Sequence, residues 1–245
     1  MQLPIYFISD IHLMLKSSQD EHVKIQKLFQ FFEFVSNSGG TLIIGGDLFD
    51  FYFEYPHLIP KQYFEVYTQL HKMQKSGVEI HFLLGNHDYW TMNFLSDKLN
   101  MIIHKNDFDF EINDKIFHLT HGDGLLSWER SYRVVKNVLH HRFFIWLFRW
   151  IHPTFGYCFA EWVASRSRQF EHSKEHNEKV RKELIRVATP VIENGIDYFL
   201  TGHYHQHTEE KIGKGKLIVL GEWIKTFSYA VFDGKELELK KFIKI

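Results

Sequence analysis

Five times in this chain a short apolar run stops abruptly on side chains that can hold a metal ion or move a proton. "PIYFIS" (4–9) leads to Asp10 and His12, "TLIIGG" (41–46) to Asp47 and Asp50, and "VEIHFLLG" (78–85) to Asn86, His87 and Asp88. "KIFHLT" leads to His121 and Asp123, and "IDYFLTG" to His203 and His205. Runs this short and this apolar read as strands buried on both faces. Between the first three lie segments of helical spacing, such as Ile25, Leu28, Phe29, Phe32 and Val35. Strand and helix in alternation predict a mostly parallel sheet covered by helices. "FDFEI", "KLIVLG" and "FSYAVF" supply further strands, with hairpin spacing near residues 108–120. In an open α/β sheet, ligands bind just beyond the carboxyl ends of the strands. One polar cluster there would be a cap or a turn; five converging on one edge make a site.

Composition narrows what that site serves. The chain has 245 residues, enough for one large domain, and at 44% hydrophobic and 17% aromatic it can bury a substantial core. A formal net charge of −1 gives no whole-chain case for nucleic-acid binding. The single cysteine, Cys158, excludes a disulfide framework and fits a reducing compartment, and it reads as a small core residue. "MQLPIYFISD" reaches an acidic residue at once and reads as a first strand, not a signal peptide, and no run is long enough to span a bilayer. The expectation is an intracellular, cytoplasmic protein. Its 17 histidines call for metal chemistry, surface placement or both.

The donors are carboxylates, imidazoles and one amide, with no thiolate. Such a set suits Mn, Fe or Zn at a reactive centre and disfavours structural zinc. Asp10 and His12, two apart on an extended segment, are expected to face one way, as are His203 and His205. The latter pair can serve two ions, and Asp47 can bridge them. Two ions about 3.5–4 Å apart can activate water and stabilise the leaving oxygen of an in-line phosphoryl displacement. Asn86 adds a neutral ligand, so the site keeps positive charge for a phosphate. His87 is then free as an acid or phosphate donor, with Asp88 orienting it through its other nitrogen.

Asp-x-His, Gly-Asp-x-x-Asp, Gly-Asn-His-Asp, His and Gly-His-x-His, in that order from residue 8 to about 205, resemble the calcineurin-like metallophosphoesterases. The resemblance implies a four-layer αββα sandwich around a dinuclear centre, with residues 1–245 as a single domain. By motif, Asp10, His12, Asp47 and His205 would bind one metal, and Asp47, Asn86, His121 and His203 the other. His87 matches the family's catalytic histidine, and Asp50 and Asp88 support the site from behind. Asp123 reads as structural and His207 as a rim or surface residue.

Residues 127–186 differ from the rest: strand-free, with 12 Lys/Arg against 6 Glu and four of the six tryptophans. They read as a helical insertion, between the His121 and His203 blocks, where a lid over the metals would sit. Its adjacent His140 and His141 lack carboxylate neighbours and read as solvated or headgroup-facing. A helical hairpin packed on the core accounts for the aromatic run at 138–168; basic charge with aromatic bulk also suits membrane surfaces and amphiphilic substrates. "GDLFDFYF", "THGDGL" and this lid are similar to the UDP-2,3-diacylglucosamine diphosphatases of lipid A synthesis. That resemblance implies hydrolysis of a nucleotide-sugar lipid to UMP and a diacylglucosamine 1-phosphate, usually with two Mn(II), by a peripheral protein of the inner membrane's cytoplasmic face. Glu129 and Tyr132 fall where substrate contacts are expected at the lid base, with Ser167, Arg168 and Lys174 further along. Well-known members of that branch carry Arg where this chain has His87, the general superfamily residue. The alternatives are another phosphoesterase acting on nucleotide phosphodiesters or dinucleoside polyphosphates, and a catalytically silent scaffold whose lid docks on membranes or a partner.

Overall fold

The computed structural model describes residues 1–16, 18–167 and 173–243, with residues 163–167 described by backbone alone. Strands β1 (Ile5–Ile8), β2 (Thr41–Ile44), β3 (Glu79–Leu83) and β4 (Ile102–His104) run parallel. β10 (Ser228–Phe232) and β11 (Leu237–Lys241) extend that sheet antiparallel beyond β1, giving the order β11-β10-β1-β2-β3-β4. The second sheet takes β5 (Phe108–Ile112), β6 (Lys115–Thr120), β7 (Tyr198–Thr201), β8 (His207–Ile212) and β9 (Gly215–Leu220) in the order β5-β6-β7-β9-β8.

Alternation of side chains assigns each strand residue to a layer. Ile5, Phe7 and Ile43 of the first sheet face Phe117, Leu119, Leu200, Ile218 and Leu220 of the second. Tyr6, Ile8, Leu42, Ile44, Ile80 and Phe82 turn the other way. They meet Leu28, Phe31, Phe32 and Val35 of α1 (Gln19–Ser38), Val66, Leu70 and Met73 of α2 (Phe64–Lys75), and Leu95 and Leu99 of α3 (Phe94–Leu99). Behind the second sheet, Phe199, Leu217 and Val219 pack on Val180, Leu184, Ala188 and Ile192 of α7 (Lys174–Glu193). The result is a four-layer αββα sandwich, as the motif order implies. α7 is the fourth layer: its i, i+4, i+8, i+12 apolar stripe was hidden in the sequence by the charge around it. The cover over the strand ends is therefore α4 (Arg130–His140), α5 (Arg142–Arg149) and α6 (Pro153–Ser167).

Three strands escaped the sequence reading. β4 is three residues long, and β8 and β11 are largely charged edge strands joined by tight hairpins to β9 and β10. The hairpin expected near 108–120 is present: β5 pairs antiparallel with β6 across Asn113 and Asp114, both in the left-handed region.

Candidate metal centre

Three of the five strand-end clusters are delivered by a backbone that leaves the strand in a left-handed turn. Asp10, His12, Asp47, His203 and His205 have φ of 56°, 48°, 52°, 66° and 54°. The expectation that Asp10 and His12 share a side because they lie on an extended segment is thus corrected, as it is for His203 and His205. Left-handed turns, not strand alternation, aim them. Each such residue costs on the order of 1–3 kcal/mol and persists because its surroundings over-determine it. Here Ile11 and His12 both donate their N–H to the Asp47 carbonyl at 2.9 Å, and the Asp10 carboxylate accepts from the His203 N–H at 2.9 Å. Lys24, buried and paired with Glu21 at 2.8 Å, donates to the His12 carbonyl at 2.7 Å. Glycine is needed where backbone crowds the donors: a Cβ on Gly85 would lie 2.2 Å from Asp47 Oδ1, and one on Gly46 2.2 Å from His121 Nδ1.

Three turns of chain thereby meet around Asp47. Donor atoms of Asp10, His12 and His205 lie within 4.8 Å of one another, as do those of Asp47, His121 and His203. His121 donates Nδ1–H to the Gly45 carbonyl at 2.8 Å, which turns Nε2 toward Asp47 Oδ2 (3.3 Å) and Asn86 Oδ1 (3.2 Å). On the other side His12 Nε2 lies 3.2 Å from His205 Nε2 and 3.7 Å from Asp47 Oδ2. Lone pairs held this close need a cation among them. Burial alone would push the His121 ring down, but Asp47 and Asp10 hold it protonated well above the ordinary histidine range. Burial would raise Asp47, and His121, His87 and His12 keep it well below the usual carboxylate value. His203, by contrast, is pushed down to about 4 by burial and by His121. The donor set, carboxylate and imidazole without thiolate, fits divalent cations.

The family model for calcineurin-like phosphoesterases matches residues 3–207. The chain belongs to that family. Such an enzyme is a metal-dependent phosphoester hydrolase. A protein named UDP-2,3-diacylglucosamine hydrolase from Porphyromonas gingivalis is 28% identical over 98% of both chains. A protein of the same name from Haemophilus influenzae is 26% identical over 91% of this chain and 92% of its own. Among solved structures, a novel archaeal phosphodiesterase superposes with a TM-score of 0.50 at 17% identity, covering 98% of this chain and 100% of that one. That likeness is one of fold.

Around the donors, this phosphoesterase places its other residues unevenly. His87 donates Nδ1–H to the Asp50 carbonyl at 2.6 Å, and its own N–H goes to Asp47 Oδ1 at 3.0 Å. Burial would lower this ring, but Asp47 and the Asp50 carbonyl raise it. Asp88 does not orient His87, contrary to the sequence expectation. Its carboxylate accepts from the backbone N–H groups of Gly85 and Leu48, both at 2.8 Å, and Phe49 at 3.4 Å, tying the two metal loops together. Burial and the charge of Asp47 raise it to about 7. The orienting group is the main chain of Asp50, whose carboxylate lies 3.8 Å from His12 Nδ1.

Two cavities open from this point, and Asp50 and His87 line both. One, of about 330 Å³, is walled by Phe51, Phe53, Trp90, Leu139, Phe148 and Phe159. The other, of about 660 Å³, holds His12, Asp47, His203 and His205 with polar residues beyond them. Tyr132 and Lys136 stand in the apolar cavity, both on Asp123, at 2.9 and 2.8 Å. Glu129 lines the polar one, accepting from the Leu126 N–H (2.9 Å) and the Tyr204 hydroxyl (3.2 Å). Lys174, exposed at the start of α7, is in neither wall. The Ser167 side chain and all of Arg168 lie outside the described residues.

Sequence reasoning missed Lys136, one helical turn past Tyr132, and the aromatic walls Phe51, Phe53 and Trp90. The signal was present: each aromatic follows a metal-block residue within four positions. Two bland readings are also corrected. Cys158 is exposed, because α6 turns that face outward. His140 is half-buried: it stacks on Tyr89 with ring centres 3.4 Å apart, and burial and Lys136 lower it to about 4.

Proposed function

We propose that this enzyme cleaves the diphosphate of UDP-2,3-diacylglucosamine with water, giving UMP and 2,3-diacylglucosamine 1-phosphate. The observation that carries the reading is the position of His87 and Asp50 where an apolar cavity meets a polar one lined by the candidate metal ligands. A substrate with acyl chains at one end and a nucleotide at the other fits that junction with its diphosphate at the donors. The names of the relatives support the same substrate. Two divalent ions, Mn(II) first and Fe or Zn as alternatives, would be held by Asp10, His12, Asp47, Asn86, His121, His203 and His205. When bound they supply Lewis acidity and a nucleophile at neutral pH.

The chain's own residues do the rest. With Nδ1–H fixed on Asp50, His87 presents Nε2 to the phosphate as donor and acid. Asp50 and Asp88 hold the two loops that set this geometry. Tyr132 and Lys136 contribute a hydroxyl and an ammonium at the mouth of the apolar cavity, where the sugar phosphate leaves. α4–α6 form the lid, hydrogen-bonded to the core by Tyr157 on the Phe53 carbonyl (2.5 Å) and by Trp90 on the Leu139 carbonyl (3.1 Å). Its outer surface carries Phe143, Trp146, Trp150, Phe155 and Trp162, all exposed. Among the described residues no helix is long and apolar enough to cross a membrane. The exposed aromatic surface suits a peripheral contact of the lid with the cytoplasmic face of the inner membrane, where such a substrate resides.

The test is hydrolysis by Mn(II)-loaded protein, with products separated by mass. UDP-2,3-diacylglucosamine should be cleaved far faster than bis(p-nitrophenyl) phosphate or diadenosine tetraphosphate. Equal rates on all three, or none on the lipid, would overturn the proposal.

A further inference from the structure

The apolar cavity has an obvious occupant in the acyl chains, whereas the far wall of the polar cavity has none among the catalytic groups. That wall holds Trp128, Glu129, His176, Asn177, Tyr204 and Gln206. Trp128 is out of keeping with it. Trp146, Trp150 and Trp162 belong to the aromatic surface of the lid, each paired with a neighbouring ring. Trp128 pairs with no ring among the described residues, is 39% exposed, and has the Lys179 ammonium 4.6 Å from its centroid.

The turn that carries Trp128 is fixed on both sides. The Ser127 N–H donates to Glu183 at 3.1 Å, and Glu129 is held by Leu126 and Tyr204. An indole displayed on so firm a base into a polar cavity is a stacking platform with little ordering entropy left to lose. In the same cavity Gln206 donates Nε2 to the Asn177 carbonyl at 3.0 Å, which fixes its amide and leaves Oε1 as an acceptor.

We propose that this wall is a nucleobase site: the base stacks on Trp128, and Gln206 and Asn177 read its edge. An accepting Gln206 Oε1 matches the N3–H of uracil, and the Asn177 side-chain amide can donate to a flanking carbonyl. Cytosine has no proton at N3 and loses the first of these bonds. The site therefore selects a uridine nucleotide. It deepens the proposed function and rests on that reading only for the statement that the nucleotide is joined to a lipid.

The experiment is calorimetric titration of the Mn(II)-loaded protein with UMP, CMP and ribose 5-phosphate, which share the phosphate and differ in the base. UMP should bind roughly tenfold or more tighter than ribose 5-phosphate, the scale of one base–aromatic stack. Trp128→Ala should erase that difference, and Gln206→Ala should bring UMP to the level of CMP. Trp128→Phe and Trp128→Leu, matched in bulk and unlike in aromaticity, separate stacking from packing: Phe should keep the preference and Leu lose it. Equal binding of UMP and ribose 5-phosphate, or a preference that survives Trp128→Ala or Trp128→Leu, would overturn the site. Lipid hydrolysis assayed on the same preparation keeps the two claims apart. Base preference without lipid turnover removes the lipid substrate and leaves the base site, and lipid turnover without base preference does the reverse.

Discussion

Asp10, Asp47 and His121 are at most 2% exposed, whereas Trp150 and Phe155 of the helical cover are 75% and 71% exposed. The two regions face one another across the apolar cavity and are stabilised by different means. At the strand ends, strained turns are tolerated because backbone amides, carbonyls and neighbouring charges hold them in place. In α4 and α5, no residue falls in the buried class, and the helices hold to the core through a few hydrogen bonds and aromatic contacts. The difference teaches what each part can lose. The edge cannot change one ligand without leaving a buried charge unpaired, while the cover can change an outward ring at little cost to the fold.

The largest effect should come from the edge. Asp47→Ala is expected to lower kcat/KM by roughly a thousandfold or more and to take bound metal from two ions per chain towards none, read by elemental analysis. Two ions retained would break the account of Asp47 as the bridge. Next, His87→Ala should lower kcat by about 10²–10⁴-fold, the range of one general acid, with metal content unchanged. A loss of metal instead would make His87 a ligand.

Much of the edge was legible in the sequence, and the reason is chemical. Carboxylate and imidazole after an apolar run have few other uses, and five such sites in one order leave one common solution. The turns that aim them were not legible, because a left-handed φ at Asp or His depends on partners distant in sequence, as with Asp10 on the Gly46 carbonyl. Asp88 was misassigned for a related cause: adjacency to His87 suggested a contact, whereas its acceptors face three amides across the two loops. In the cover, composition announced helices but not which faces close the cavity. That α7 belongs to the sandwich follows from packing its apolar stripe on β7 and β9, which charge counting along 127–186 obscured.

Acidification should act on the edge and spare the cover. His121 and His205 hold their protons above the ordinary histidine range, for His205 because Asp10 outweighs burial. Ligation needs both rings bare, so metal must displace protons and its affinity should rise with pH, by up to about tenfold per unit for each proton displaced. Mn(II) titrations at pH 6, 7 and 8 check the sign; affinity independent of pH would contradict it. In the cavity wall, Phe148→Ala should raise KM for the lipid substrate about tenfold and leave bis(p-nitrophenyl) phosphate hydrolysis unchanged. Smallest of all for the isolated enzyme, Trp150→Glu should weaken binding to anionic vesicles several-fold without altering hydrolysis of the soluble diester.

The central claim is that one catalytic edge serves an apolar cavity and a polar cavity at once. It is tested most directly by kcat/KM for UDP-2,3-diacylglucosamine against UDP-N-acetylglucosamine, which keeps the neutral amide and lacks the long acyl chains. We expect the acylated substrate to be preferred by roughly a hundredfold or more, since the chains bury apolar surface that the sugar alone cannot. Equal values would mean that the cavity under α4–α6 does not take part, and would contradict the account.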